Sequence, residues 1–234
     1  KDFLRYQLCG ELASDMSDAA GTMWLNTETR QWDEVLLAAC GLSIDNMPAL
    51  FDGNEVTGTL KATLAKRWGM HDVVIAGGAG DNAAGAIGCG IFEPGHAMLS
   101  LGTSGVYFAV TDSFSVNTAQ AVHSFCHALP DRWHMMSVML NAASCLEWYC
   151  TQSGYEDVAE MFVDVQNNTS HLDPQIPLFL PYLTGERTPH NNPAAKAAFF
   201  GVSVSTRRVH MARAVVEGVS MALADGIDAA HQSG

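Results

Sequence analysis

In AGGAGDNAAGAIGCG, residues 76–90, a glycine turn delivers one carboxylate, Asp81, with the amide of Asn82 beside it. Glycines after a strand let the backbone approach a ligand closely, and a helix start beyond them offers amide donors. A carboxylate at such a strand end can take a proton from a substrate hydroxyl that Asn82 orients. Asp is also a favoured helix N-cap, so a purely structural role for Asp81 stays open. Gly78, Gly80 and Ala83 further match the dinucleotide pattern G-x-G-x-x-A. The next strand, AMLSLG, runs into Gly and Thr where a ribose-binding acid belongs, which counts against an oxidoreductase.

LSLGTSG, residues 99–105, packs Gly102, Thr103, Ser104 and Gly105 into one turn between apolar runs. Turn amides and two hydroxyls suit phosphate oxygens, whose charge needs convergent donors. Hairpins also use Gly and Ser for turn geometry alone. No G-x-x-x-x-G-K-[ST] occurs, which excludes a P-loop kinase. His123, Cys126, His127 and His134 suggest zinc by residue type, but no second Cys/His pair follows at finger spacing. The expectation there is a strand with a core thiol and satisfied imidazoles, and no metal site. GERTPHNNP gathers Glu186, Arg187 and His190, either as a salt-bridged surface loop or as an active-site lid.

Elements to position these groups are readable nearby. HDVVIAGG predicts a short buried strand entering the glycine turn, and DNAAGAIGCGI a helix after it. DEVLLAAC and TLKATLAKRWG predict helices stopped by Gly41 and Gly69, the second with Leu60, Leu64 and Trp68 on one face. HAMLSLGTSGVYFAV predicts two strands around a tight turn, and the change of texture at Glu93–Gly95 places a domain boundary there. NAASCLEWYC and DVAEMFVDVQ predict helices, the latter with Val158, Met161, Phe162 and Val165 together. PLFLPYLTGERTPHNNP is too rich in proline and glycine for a regular element and reads as an ordered surface loop. In the last helix, Ala214, Gly218 and Ala222 form a narrow stripe suited to another helix. Strands alternating with helices make the fold class α/β.

The chain has 234 residues, 48% of them hydrophobic, enough for one large or two small domains. Twelve Lys plus Arg against 25 Asp plus Glu give a net charge of −13, with no basic stripe for nucleic acid or an anionic membrane. No apolar run reaches the ~20 residues of a membrane helix. The N-terminus has no signal-peptide zones, so the chain is expected to start within a longer protein. Six cysteines without CxxC pairing point to a reducing, cytoplasmic setting. Nothing in the sequence decides between monomer and homodimer.

Taken together the motifs resemble the FGGY family of carbohydrate kinases. Its second signature is matched by Ala197, Phe199, Gly201 and Val202, then His210, Met211, Ala214, Val215, Val216 and Glu217. ASDMSDAAGTMWLN, GAGDNAAGAIG, LSLGTSGVYFAV, VHSFCHALP and LPYLTGERTPHNNPAAKAAFFG are similar to successive family landmarks, in order. The resemblance implies parts of two actin/hexokinase-like (ribonuclease H-like) domains that close around a sugar and MgATP. It implies ATP-dependent phosphorylation of a ketopentose, D-xylulose, to its 5-phosphate. Asp81 would be the general base, Asn82 would hold sugar hydroxyls, and Gly102, Thr103 and Ser104 would contact the phosphates of ATP, with Mg2+ accompanying the nucleotide. Asn141 to Glu147 resembles a helix start near the nucleotide, although Ala143 stands where relatives often have Gly.

The family's D-x-G-T phosphate loop and its glycine-rich adenine-binding stretch are not found in the chain. The expectation is therefore a central fragment without turnover of its own. Residues 1–92 would be the C-terminal part of the sugar-binding domain and residues 93–234 the N-terminal part of the nucleotide-binding domain. Ribulose, gluconate or glycerol remain alternative substrates within the family, and a noncatalytic nucleotide-binding module is the alternative outside catalysis.

Overall fold

A computed structural model of the chain describes residues 1–170 and 173–233. It divides into two compact units: Lys1–Ala97 with Ala109–Phe114 and Ser124–Met135, and Met98–Phe108 with Ser115–His123 and Met136–Gly234.

The first unit opens with α1 (Asp2–Cys9), β1 (Ala13–Asp15), α2 (Met16–Ala19), β2 (Leu25–Asn26) and β3 (Gln31–Trp32). It continues through α3 (Glu34–Ala39), β4 (Ala49–Phe51), β5 (Val56–Thr59), α4 (Ala62–Trp68), β6 (Val74–Ala76) and α5 (Asp81–Gly88). Short polar side chains start two of its helices by satisfying amides that have no partner in the first turn. Asp15 caps α2 and Asp33 caps α3, each accepting from two backbone N–H groups. Gly69 ends α4 in the left-handed conformation, as its position after Trp68 predicts. Trp68 itself is exposed and Leu64 only half-buried, because α4 has no fully buried side chain.

β1 and β4 pair in parallel, Ala13 opposite Ala49 and Asp15 opposite Phe51. β5 and β6 pair antiparallel, with an irregularity between Val56 and Gly58.

A four-stranded sheet consists of β7 (Ala97–Leu101), β8 (Gly105–Thr111), β9 (His123–Cys126) and β10 (Trp133–Met139). Its order is β7-β8-β10-β9. In the first unit Cys126 is buried with Ala19 and Leu25, and Trp133 Nε1 donates to the Thr27 carbonyl at 2.7 Å. His134 stacks on Phe125 at 5.5 Å and meets His127 edge-on at 6.0 Å. Both imidazoles are buried, and burial is the main cause that lowers their pKa values, to about 4 for His127 and about 3 for His134.

In the second unit α6 (Ala143–Ser153), α7 (Val158–Asn168), β11 (Leu178–Leu180), β12 (Ala198–Phe200) and α8 (Arg208–His231) enclose one core. Met161 and Val165 of α7 are buried in it, whereas Phe162 is 42% exposed. PLFLPYLTGERTPHNNP departs from the expected surface loop in two ways. Its first residues form β11, antiparallel to β12, and Glu186 and Thr188 further on are buried. The small-residue stripe of α8 also has a different neighbour: Gly218 lies against the Phe179 backbone of β11, not against another helix. A strand approaches a helix this closely only where no side chain intervenes. Among the described residues no helix is long and apolar enough to cross a membrane.

Two expectations follow. A Cβ at Gly218 would lie 3.1 Å from Phe179 C and Cβ and closer still to its carbonyl oxygen, so Gly218→Ala must push α8 off β11. We expect a loss of about 1–3 kcal/mol in denaturant unfolding; an unchanged midpoint would refute the close approach. His127 and His134 have folded-state pKa values depressed below the 6.5 of an unfolded chain. Their contribution is therefore present above pH 6.5 and lost as pH falls toward about 4 and then about 3, with a slope of at most about 1.4 kcal/mol per pH unit for each ring. His134→Gln should flatten the acid limb of stability against pH, and an unaltered slope would show that His134 does not titrate in this way.

Candidate active site

Asp81 and Asn82 belong to the first unit and Gly102, Thr103 and Ser104 to the second. In the first, β6 runs into Gly77 and Gly78, whose amides donate to the carbonyls of Glu55 (3.0 Å) and Gly53 (2.9 Å). The backbones approach so closely that a Cβ on Gly77 would lie 2.7 Å from the Asp52 oxygen. One on Gly53 would overlap the Gly78 carbonyl, and Gly78 has φ +80°. Only glycine satisfies these contacts and that backbone conformation.

The turn ends at Gly80, which is the N-cap of α5 and has no side chain to cap it. Asp81 is therefore the first helical residue and not the cap. Its Oδ1 accepts from Asn82 N at 2.7 Å and from Asn82 Nδ2 at 3.2 Å. Among the described residues nothing bonds to Oδ2, and the side chain is exposed. A carboxylate oriented through one oxygen, with the other uncommitted, can act as a proton acceptor. Along the same unit, a cleft of about 320 Å³ is lined by Gly78, Ala79 and the α5 residues Ala84 and Ile87. Ala84 stands three residues after Asp81, on the same side of the helix.

In the second unit the turn between β7 and β8 spends every carbonyl inward. Gly102 O accepts from Ala143 N (3.0 Å), Thr103 O from Ala142 N (2.9 Å) and Ser144 Oγ (2.9 Å), and Ser104 O from Gly102 N (2.9 Å). The carbonyls of Gly102 and Thr103 are thus occupied by the start of α6 and that of Ser104 by Gly102 N, whereas the hydroxyls of Thr103 and Ser104 form no hydrogen bond among the described residues. That polarity suits an anion, which needs donors and is repelled by free carbonyls.

The support beneath this turn includes residues of the PLFLPYLTGERTPHNNP segment. Leu140 N donates to Glu186 Oε1 at 2.9 Å, Thr184 Oγ1 donates to Asn141 Oδ1 at 3.0 Å, and Asn141 Nδ2 donates to Gly185 O at 3.2 Å. These bonds hold the chain immediately before Ala142. Burial pushes the Glu186 carboxyl above its ordinary value, while the Leu140 and Arg187 amides pull it down. Thr188 bridges Val138 N and the Ala121 carbonyl. Their only signal in the sequence is Thr, Glu and Thr alternating in TGERT, which marks polar groups without marking burial. His123, considered for metal binding, instead has its Nε2 3.4 Å from Arg187 Nη1.

The model of the FGGY family of carbohydrate kinases, N-terminal domain, matches residues 1–88, and that of the C-terminal domain matches residues 97–234. The xylulose kinase of Escherichia coli (strain K12) is 56% identical over 234 residues, covering 100% of this chain and 48% of the relative. That of Klebsiella pneumoniae is 55% identical over 231 residues, covering 99% and 47%. A crystal structure of a "xyloylose kinase" from Brucella ovis superposes with a TM-score of 0.95 at 46% identity, over 100% of this chain and 48% of that one. The chain spans about half the length of the curated relatives it matches. With both family models covering nearly all of its residues, the chain belongs to the FGGY family of carbohydrate kinases.

Proposed function

We propose that a polypeptide carrying this chain phosphorylates the terminal hydroxyl of D-xylulose with ATP, giving D-xylulose 5-phosphate and ADP. The relatives named above support the sugar, and the family supports a nucleotide donor. The observation that carries the reading is Asp81, exposed at the first position of α5 with Oδ2 uncommitted.

Asp81 takes the proton of the sugar hydroxyl as its oxygen bonds to the γ-phosphorus. The bond to the ADP oxygen breaks and the electron pair leaves with ADP. Asn82, hydrogen-bonded to Asp81, holds neighbouring sugar hydroxyls. Gly102, Thr103 and Ser104 hold phosphate oxygens. Residues 1–92 then supply the C-terminal part of a sugar-binding domain and residues 93–234 the N-terminal part of a nucleotide-binding domain. Mg2+ is proposed to accompany ATP. Among the described residues no cluster of three or more acidic, histidine or cysteine side chains forms a cage for it, so no step is assigned to the ion. All six cysteines are free, in keeping with a reducing cytoplasmic setting.

Activity is best tested in a polypeptide of the relatives' full length carrying this sequence. Asp81→Asn should lower kcat by about 10²–10⁴-fold, the usual contribution of a general base, without measurable loss of thermal stability. A rate within tenfold of the parent would remove Asp81 from the mechanism. Against D-xylulose, D-ribulose, gluconate and glycerol, kcat/KM should be highest for D-xylulose; preference for another would reassign the substrate. Replacing Thr103 and Ser104 together by alanine should raise the KM for ATP about tenfold, the weight of a charge-assisted hydrogen bond, and leave the sugar KM unchanged. An unchanged ATP KM would exclude the two hydroxyls from phosphate binding.

A further inference from the structure

Behind Asp81 lies a buried polar chain that the proposed reaction does not use. β1 ends at Asp15, whose side chain is fully buried. Its Oδ2 accepts from Ser17 N at 2.8 Å, from Ser17 Oγ at 2.5 Å and from Asp18 N at 3.3 Å, and its Oδ1 lies 2.8 Å from Lys1 Nζ. Ser17 gives its only hydroxyl proton to Asp15, so its oxygen can serve only as an acceptor on its other side. There the amide of Gly80 donates to Ser17 Oγ at 3.0 Å.

Gly80 directly precedes Asp81, and α5 has no side-chain cap of its own. Gly77 and Gly78 are held by backbone carbonyls. Among the described residues, Gly80 is the one member of the 77–80 turn whose amide is held by a side chain. A hydroxyl whose proton is committed to a carboxylate is a stronger acceptor, because linked hydrogen bonds polarise one another.

We infer that Ser17, oriented by Asp15, is a positioning residue: it anchors the Gly80 amide and so sets where the first turn of α5 presents the Asp81 carboxylate. The inference rests on the reading of Asp81 as the base. A general base displaced by about 1 Å loses about 10²-fold in rate, so a residue that touches no substrate can act on kcat through the helix start.

The test uses the full-length polypeptide with Ser17→Ala, Ser17→Cys and Ser17→Thr. Ser17→Ala should lower kcat by about 10- to 100-fold at unchanged ATP KM, and should speed hydrogen exchange of the Gly80 amide. Ser17→Thr, which keeps the hydroxyl, should restore both. Ser17→Cys keeps the volume, weakens the bond and gives the same reading if the alanine variant does not fold. A variant that loses thermal stability but keeps kcat would make Ser17 merely structural and overturn the inference. So would a Gly80 amide that exchanges at the parent rate in Ser17→Ala, whatever Asp81→Asn does. Normal turnover in Asp81→Asn, by contrast, would strike the base assignment and leave the Gly80 exchange result standing on its own.

Discussion

Where β6 gives way to α5, two backbones touch. Gly77 and Gly78 pass against Asp52 and Gly53 with no room for a Cβ between them, and two backbone hydrogen bonds close the contact. Asp52 and Gly53 follow β4 directly, and β4 pairs with β1. The position of the turn is thus tied to a parallel strand pair. Everything proposed for Asp81 depends on this contact, since the carboxylate is only three residues beyond Gly78. A side chain at Gly77 or Gly53, where a Cβ would meet backbone, or at Gly78, where φ is +80°, would move the helix start, and a base is useful only within hydrogen-bond reach of the proton it takes.

The second unit solves its own positioning problem differently. Its turn is held through its carbonyls by the first residues of α6, and α6 is held in turn by Asn141, Thr184 and the buried carboxylate of Glu186. Placing a carboxylate out of water is costly, and Glu186 recovers part of that cost through two backbone amides. The result is a turn whose carbonyls are occupied, leaving the hydroxyls of Thr103 and Ser104, the groups proposed to meet an anion, without a hydrogen bond among the described residues.

Much of this plan was legible because it is local. The strand, glycine turn and helix around Asp81 follow from hydrophobic runs punctuated by glycine, although β6 is not the buried strand expected, Val74 being exposed and Ile75 half-buried, and the turn between β7 and β8 is recognisable in the same way. What was not legible depends on contacts far apart in sequence. Glu186 reads as surface because Pro, Gly and charge surround it, yet its partner Leu140 N removes it from water. For Ser17, nothing local predicts that its hydroxyl meets Gly80. The stripe on α8 signalled close packing correctly, but periodicity could not say that a strand would fill it. Trp68 and Phe162 show the converse: a side chain at core spacing stays exposed where no element covers it.

In the proposed reaction Asp81 is aimed at the sugar hydroxyl that becomes phosphorylated. A crystal structure of the full-length polypeptide with D-xylulose and a nonhydrolysable ATP analogue measures that directly. An Asp81 carboxylate oxygen is expected about 2.6–3.2 Å from the terminal hydroxyl of the sugar. A sugar bound with that hydroxyl facing another acid, and Asp81 beyond the reach of a single bridging water, would contradict the proposal.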